Sequence, residues 1–222
     1  TRTCATGSST SSPRRFPGLN FAFLEGGVGW ASMLYADLIG HWEKRNRQAI
    51  ETTNPSKLDV AKLHELARKY GSPALAEAVG RREGLEGDSN STLTGGIENL
   101  DDYFRCQITR KEDIRDLFVP RFYFGCEADD PTNAWAFNRQ ASPMRARLNA
   151  LFSSDIGHFD VPDMTEVVPE AYELVEHGLI TDDDFQDFMF SNAVRFWGEV
   201  NPDFFKGTIV EKQAQEVLRH GA

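Results

Sequence analysis

Three short apolar runs in this chain each stop at a polar or glycine-rich turn, and helical sequence follows each of them. The first is Leu19 to Leu24, ending at Glu25-Gly26-Gly27. The second is Arg121 to Gly125, ending at Cys126-Glu127. The third is Ala150-Leu151-Phe152, ending at Ser153 to Asp155. Runs this short fit buried strands, although periodicity alone leaves a helical segment open. Strands that alternate with helices predict a parallel sheet joined by right-handed crossovers, an α/β class of fold.

The helical stretches carry their own signals. From Trp30 to Ile50, Trp30, Leu34, Leu38 and Trp42 recur every fourth residue and share one face. Asp130-Pro131 is a cap followed by proline at the first helical position, predicting a helix over Thr132 to Gln140. Glu166 to His177 is stopped by Gly178. Thr181-Asp182-Asp183-Asp184 is a capping box with Asp in place of Glu. Phe185, Phe188, Met189, Asn192 and Phe196 then form a stripe suited to core packing. The tail from Pro202 to Ala222 is expected to wrap the outside.

Between the first and second strands, residues 51–120 hold further helices over Leu58 to Tyr70 and Pro73 to Arg82, then a polar loop from Gly84 to Gly96. This block is expected to be a helical insertion over one face of the sheet, acting as a lid or as a homo-oligomer contact. Residues 1–13 are Gly/Ser/Thr-rich and are expected to be disordered or foreign to the fold, leaving 14–222 as its body.

Charge and length exclude some functions. A formal net charge of −10 argues against nucleic acid as a partner, because phosphate binding needs a basic face. There is no apolar run of about 18 residues, so no membrane span is expected. The cysteines (Cys4, Cys106, Cys126) are few, odd in number and far apart. They fit reduced thiols in a cytoplasmic protein, and no Cys-x-x-Cys pair offers a zinc knuckle.

The chemistry concentrates in Ser153-Ser154-Asp155-Ile156-Gly157-His158-Phe159-Asp160. Acidic and imidazole groups at a strand's carboxyl end are where α/β enzymes keep their sites. Asp155 can serve as a metal ligand or general base; equally, it can cap a helix or bond to backbone amides. His158 can polarise a ligand, or simply bond to Asp155 or Asp160. Glu25 can carry a proton or form a salt bridge at the sheet's mouth. Asp130 is explained as a cap, and Glu127 and Asp129 leave one carboxylate free to face a cleft. Glu98, Asp101 and Asp102 read as solvated surface. His41 and His64 lack a partner at helical metal spacing, and Cys126 has no neighbouring His.

Phe16-Pro17-Gly18-Leu19-Asn20-Phe21-Ala22-Phe23-Leu24-Glu25-Gly26-Gly27-Val28-Gly29-Trp30 resembles the sixth barrel strand of the amidohydrolase-related metal-dependent hydrolases, which include aminocarboxymuconate semialdehyde decarboxylase and its relatives. Ser153 to Asp160 resembles their eighth-strand motif, and Phe190-Ser191-Asn192-Ala193-Val194-Arg195-Phe196 their closing helix. The resemblance spans about residues 14–211. It implies the last three βα units of a (β/α)8 TIM barrel with a divalent metal, usually zinc, and a small-molecule substrate. Asp155 matches the family's metal-binding or proton-accepting aspartate; Glu25 and His158 would shape the site. Glu25 stands where several decarboxylases carry His, which counts against His-dependent decarboxylation and leaves hydrolysis open. The family's His-x-His pair is missing from the chain. The implied activity is hydrolysis by a metal-activated water at a carbonyl carbon, with a decarboxylase or a non-catalytic remnant as alternatives. The fragment alone is expected to be inactive.

Overall fold

The computed structural model describes residues 11–54, 57–80, 101 and 103–220. At its centre are three strands, β1 (Phe21–Phe23), β2 (Phe122–Glu127) and β3 (Asn149–Ser153). They lie in the order β1-β2-β3, and both pairings are parallel. Phe23 stands opposite Phe124, and Gly125 opposite Leu151. The three apolar runs therefore do lie side by side in one direction. The chain is a mixed α/β protein built on a small open parallel sheet. No described helix is long and apolar enough to cross a membrane.

The described residues form two compact units. One comprises those of Gly40–Lys111; the other comprises those of Ser8–Ile39 and Glu112–Ala222, and contains the sheet. The segment 1–10 and the loop Gly84 to Gly96 lie outside the described residues, as do Glu98 and Asp102. Residues 11–13, expected to be disordered, instead begin a short helix, Ser11–Arg15, with Pro13 buried.

The central strand explains the core of the sheet unit. Five of the six residues of β2 are buried, with only Glu127 exposed. A parallel strand covered on both faces needs such a continuous apolar run. Phe124 is fully buried against Phe23, Trp30 and Phe118, with ring centroids 5.9, 5.5 and 6.2 Å away. On the opposite face Tyr123 meets Phe196 at 5.1 Å. Gly125 lies on that face too. A Cβ there would come within 3.2 Å of the Leu24 backbone and 3.3 Å of Ser153 Oγ, so the strand ends close tightly around it.

Two helices differ from the sequence expectation, and both differences trace to asparagine. The first helix spans Gly29–Arg45 and does not reach Ile50. The Asn46 amide donates to the Trp42 carbonyl at 2.8 Å, and its Oδ1 accepts from the Gln48 and Ala49 amides. That side chain substitutes for the helical ladder and ends it. The helix also buries Ala31, Tyr35, Leu38 and Ile39, a face that shares only Leu38 with the Trp30-Leu34-Leu38-Trp42 row. Tyr35 sets this face, stacking on Phe118 at 5.6 Å and donating to the Pro143 carbonyl at 3.3 Å. The second stretch, expected over Thr132 to Gln140, is only a tight 3-10 turn over Pro131–Ala136. Asn138 Oδ1 accepts from the Gln140 and Ala141 amides and turns the chain there.

Local signals read more accurately elsewhere. The Thr181–Asp184 capping box is present in both directions. It opens a helical run, Asp182–Gln186, a wide π turn over Asp187–Ser191, and Asn192–Gly198. Phe188 and Asn192 are buried as expected of the stripe. Asn192 donates to the Ala150 carbonyl at 2.9 Å and so fastens this run to β3. Arg147 bridges Asp184 and Asp187 at 2.9 and 2.8 Å, holding the run's acidic start. The tail ends in a helix over Glu211–His220, where Ala214 is buried.

In the unit of Gly40–Lys111, helices span Val60–Tyr70 and Pro73–Gly80. The first starts at Val60 because the Asp59 side chain caps it, accepting from the Lys62 amide. A helix not foreseen in the sequence, Lys111–Phe118, belongs from Glu112 on to the sheet unit, and its Ile114 and Phe118 are buried.

Candidate metal centre beyond the third strand

Asp155 lies two residues past the end of β3 and has a φ of 50°, in the left-handed region. Glu25 lies two residues past the end of β1 with a φ of 60°. Left-handed backbone costs an ordinary L-residue roughly 1–2 kcal/mol, with Asp tolerating it better than Glu. Strain of this kind persists where surrounding structure imposes it, and it clusters at functional sites. The two carboxylates that the sequence singled out are thus both held in unusual backbone just beyond parallel strands.

Past Asp155 the chain reverses. The His158 amide donates to the Asp155 carbonyl at 3.1 Å, and Gly157 takes a φ of 106° to allow the turn. This brings His158 Nδ1 to 3.2 Å from Asp155 Oδ2 and 3.5 Å from Asp160 Oδ1. One donor atom from each of the three residues falls within 4.8 Å of the others. Tetrahedral zinc, with bonds of about 2.0–2.2 Å, separates its ligand atoms by about 3.3–3.6 Å. The two His158 separations, 3.2 and 3.5 Å, lie near that spacing, while the 4.8 Å limit on the whole set exceeds it, so the carboxylates would have to close in on a shared zinc. Asp160, considered in the sequence only as a partner for His158, completes the set.

The cluster's surroundings are open. The Asp155 side chain is 39% exposed and that of His158 is 62% exposed. A carboxylate so exposed keeps most of its hydration, so burial exerts no pressure for a counter-ion. Phe159, at 94% exposed, gives the loop no apolar cover. A cation here would keep several waters and bind weakly.

Glu25 is not part of this cluster. It leaves β1, on the other side of β2, about 10 Å away as judged by two interstrand spacings. It is exposed, and among the described residues its carboxylate has no hydrogen-bond or ion-pair partner. Glu25→Gly is accordingly expected to raise stability by about 1 kcal/mol, read as a higher urea midpoint. A lower midpoint would mean the side chain holds the turn.

The remaining candidates have structural explanations. Asp130 caps its turn, accepting from the Thr132 amide at 2.8 Å and its hydroxyl at 2.7 Å. Glu127 and Asp129 are exposed, and the Glu127 carbonyl accepts from Asn133 at 2.7 Å. Cys126 is buried, and burial, reinforced by the Asp130 charge, pushes its thiol up to about 12. That is the reverse of an activated nucleophile. Asp101 is nine-tenths buried, so it is not solvated surface.

Compared with protein-family models, curated proteins and solved structures, the chain matches none of them.

Proposed function

We propose that this chain is the carboxyl-terminal βα portion of a metal-dependent hydrolase of the amidohydrolase type, with Asp155 as its metal-facing carboxylate. The observation that carries the reading is the convergence of Asp155, His158 and Asp160 donor atoms within 4.8 Å, just beyond a parallel strand. The strand order supports it. In a (β/α)8 barrel, consecutive strands are neighbours and parallel, and β1, β2 and β3 obey both conditions. A closed barrel takes eight strands, so in this reading the three seen here need others to complete the site.

A divalent cation held there would supply a Lewis acid and make a water more acidic. Asp155 would hold that cation or accept the proton that an attacking water gives up. His158 would add its imidazole to the ligand set beside Asp155 and Asp160. Glu25, about 10 Å from the cluster and with no partner among the described residues, would have to act on the substrate of a C–N or C–O carbonyl hydrolysis rather than on the cation. The substrate is a small molecule, and zinc is the natural cation for a His and two carboxylates.

Zinc titrated calorimetrically into chelator-treated protein is expected to bind at one weak site, in the micromolar range or above. Asp155→Asn is expected to weaken it at least ten-fold. This chain alone is expected to show no zinc-dependent ester or amide hydrolysis. Unchanged zinc affinity in the Asn variant, or no zinc binding at all, would remove the basis of the proposal.

A further inference from the structure

The unit of Gly40–Lys111 contains a cavity of about 670 Å³, within the size range of small-molecule sites. Trp42, Phe104 and Ile108 supply its apolar wall. Asn46 also lines it, but its amide is engaged at the helix end, both donating to and accepting from backbone. The charged groups are Asp101 and Arg47.

Asp101 decides the ligand's chemistry. It is only 9% exposed, yet it lines the cavity. Its Oδ1 accepts from the Tyr103 amide at 2.9 Å, which fixes the carboxylate at the start of a tight turn. The turn continues through the Phe104, Cys106, Gln107 and Ile108 amides and brings Phe104 and Ile108 round the same space. Among the described residues, Oδ2 has no partner. Oδ2 is not among the buried atoms left without a partner, so it opens onto the cavity, where a cation can reach it and where the apolar wall strengthens the attraction. Aromatic walls favour the same charge, because ring faces attract ammonium groups. Arg47 opposes a cation at the site, but its charge also acts on the exposed Glu51. There it adds to the Lys57 hydrogen bond that holds Glu51 below the usual carboxylate range. The chain's net charge of −10 draws cations in general.

We propose that this cavity binds a small organic amine, its ammonium group on Asp101 Oδ2 and its apolar part between Trp42 and Phe104. The site is separate from the Asp155 loop and does not depend on the hydrolase reading.

The test is isothermal titration of the full chain with 2-phenylethylamine, against 3-phenylpropionate as the charge-reversed analogue. The amine is expected to bind saturably and the acid not to bind. Asp101→Asn is expected to weaken the amine at least ten-fold while keeping Oδ1 for the Tyr103 amide, so the turn survives. Trp42→Phe is expected to weaken it several-fold. Trp42 Nε1 has no acceptor to lose, so this variant leaves no partner unsatisfied. Equal or tighter binding of the acid, wild-type amine affinity in Asp101→Asn, or no saturable amine binding at millimolar concentration would overturn the proposal. If the Asn variant fails to fold, the amine-against-acid comparison on the wild-type chain decides alone.

Discussion

Phe124→Ala is expected to lower the unfolding free energy by about 3–5 kcal/mol, the usual range for a buried phenylalanine. The residue sits on the central strand and is fully buried. Its ring meets those of Phe23, Trp30 and Phe118, which come from β1, the helix Gly29–Arg45 and the helix Lys111–Phe118. Truncation therefore opens a cavity walled by three different elements. Backbone collapse cannot close it, because β2 is pinned between two parallel partners. Domains of this size are typically stable by about 5–15 kcal/mol, so the variant approaches the unfolding threshold. Urea denaturation followed by tryptophan fluorescence reads the change. Phe159→Ala, at a site 94% exposed, is the matched control and is expected to shift stability by less than about 0.5 kcal/mol. A small effect at Phe124 would mean the aromatic cluster is not the core of the sheet unit.

Alkaline pH is the second strong lever. Burial raises the Cys126 thiol from 9.0 to about 12, with the Asp130 charge adding to it. Burial likewise raises the Tyr35 hydroxyl from 10.0 to about 12, an effect Arg115 partly offsets. Both groups are neutral when protonated. Above the ordinary value the unfolded chain releases its proton while the folded chain keeps it. The unfolded state then binds fewer protons, so stability falls as pH rises. The stabilising contribution is complete below pH 9 and is lost between 9 and about 12. The loss is about 1.4 kcal/mol per pH unit for each group within its window. Urea midpoints measured from pH 8 to pH 11 are expected to decline steeply, and Cys126→Ala to flatten the slope that begins near 9. A level profile, or one unchanged by that substitution, would show that the thiol is not held neutral by burial.

How much of this was legible in the sequence depended on how local the cause was. The strands were legible because each is a short apolar run that ends at glycine or acid. The Thr181 capping box was legible because both its hydrogen bonds span three residues. The helix Thr132 to Gln140 misled because Pro131 marked a start, while the stop lay in Asn138, whose Oδ1 takes two amides. The row Trp30-Leu34-Leu38-Trp42 does not mark the buried face, because four-residue spacing fits more than one stripe. Only the non-local contacts of Tyr35 select between them. At the site, Asp155 and His158 were readable from a strand end and from a spacing of three. The separation of Glu25 from them was not, since it depends on β2 entering between β1 and β3. The cavity beside Asp101 gave no signal, because Trp42, Asn46, Asp101, Phe104 and Ile108 meet there only after folding.

The claim that a cation belongs among Asp155, His158 and Asp160 is tested most directly by manganese in solution. Substoichiometric Mn²⁺ added to isotopically labelled protein is expected to broaden first the amide signals of residues 153–161. Asp155→Asn is expected to abolish that local pattern. Broadening spread evenly over the acidic surface, or identical in the Asn variant, would contradict a cation centre in this loop.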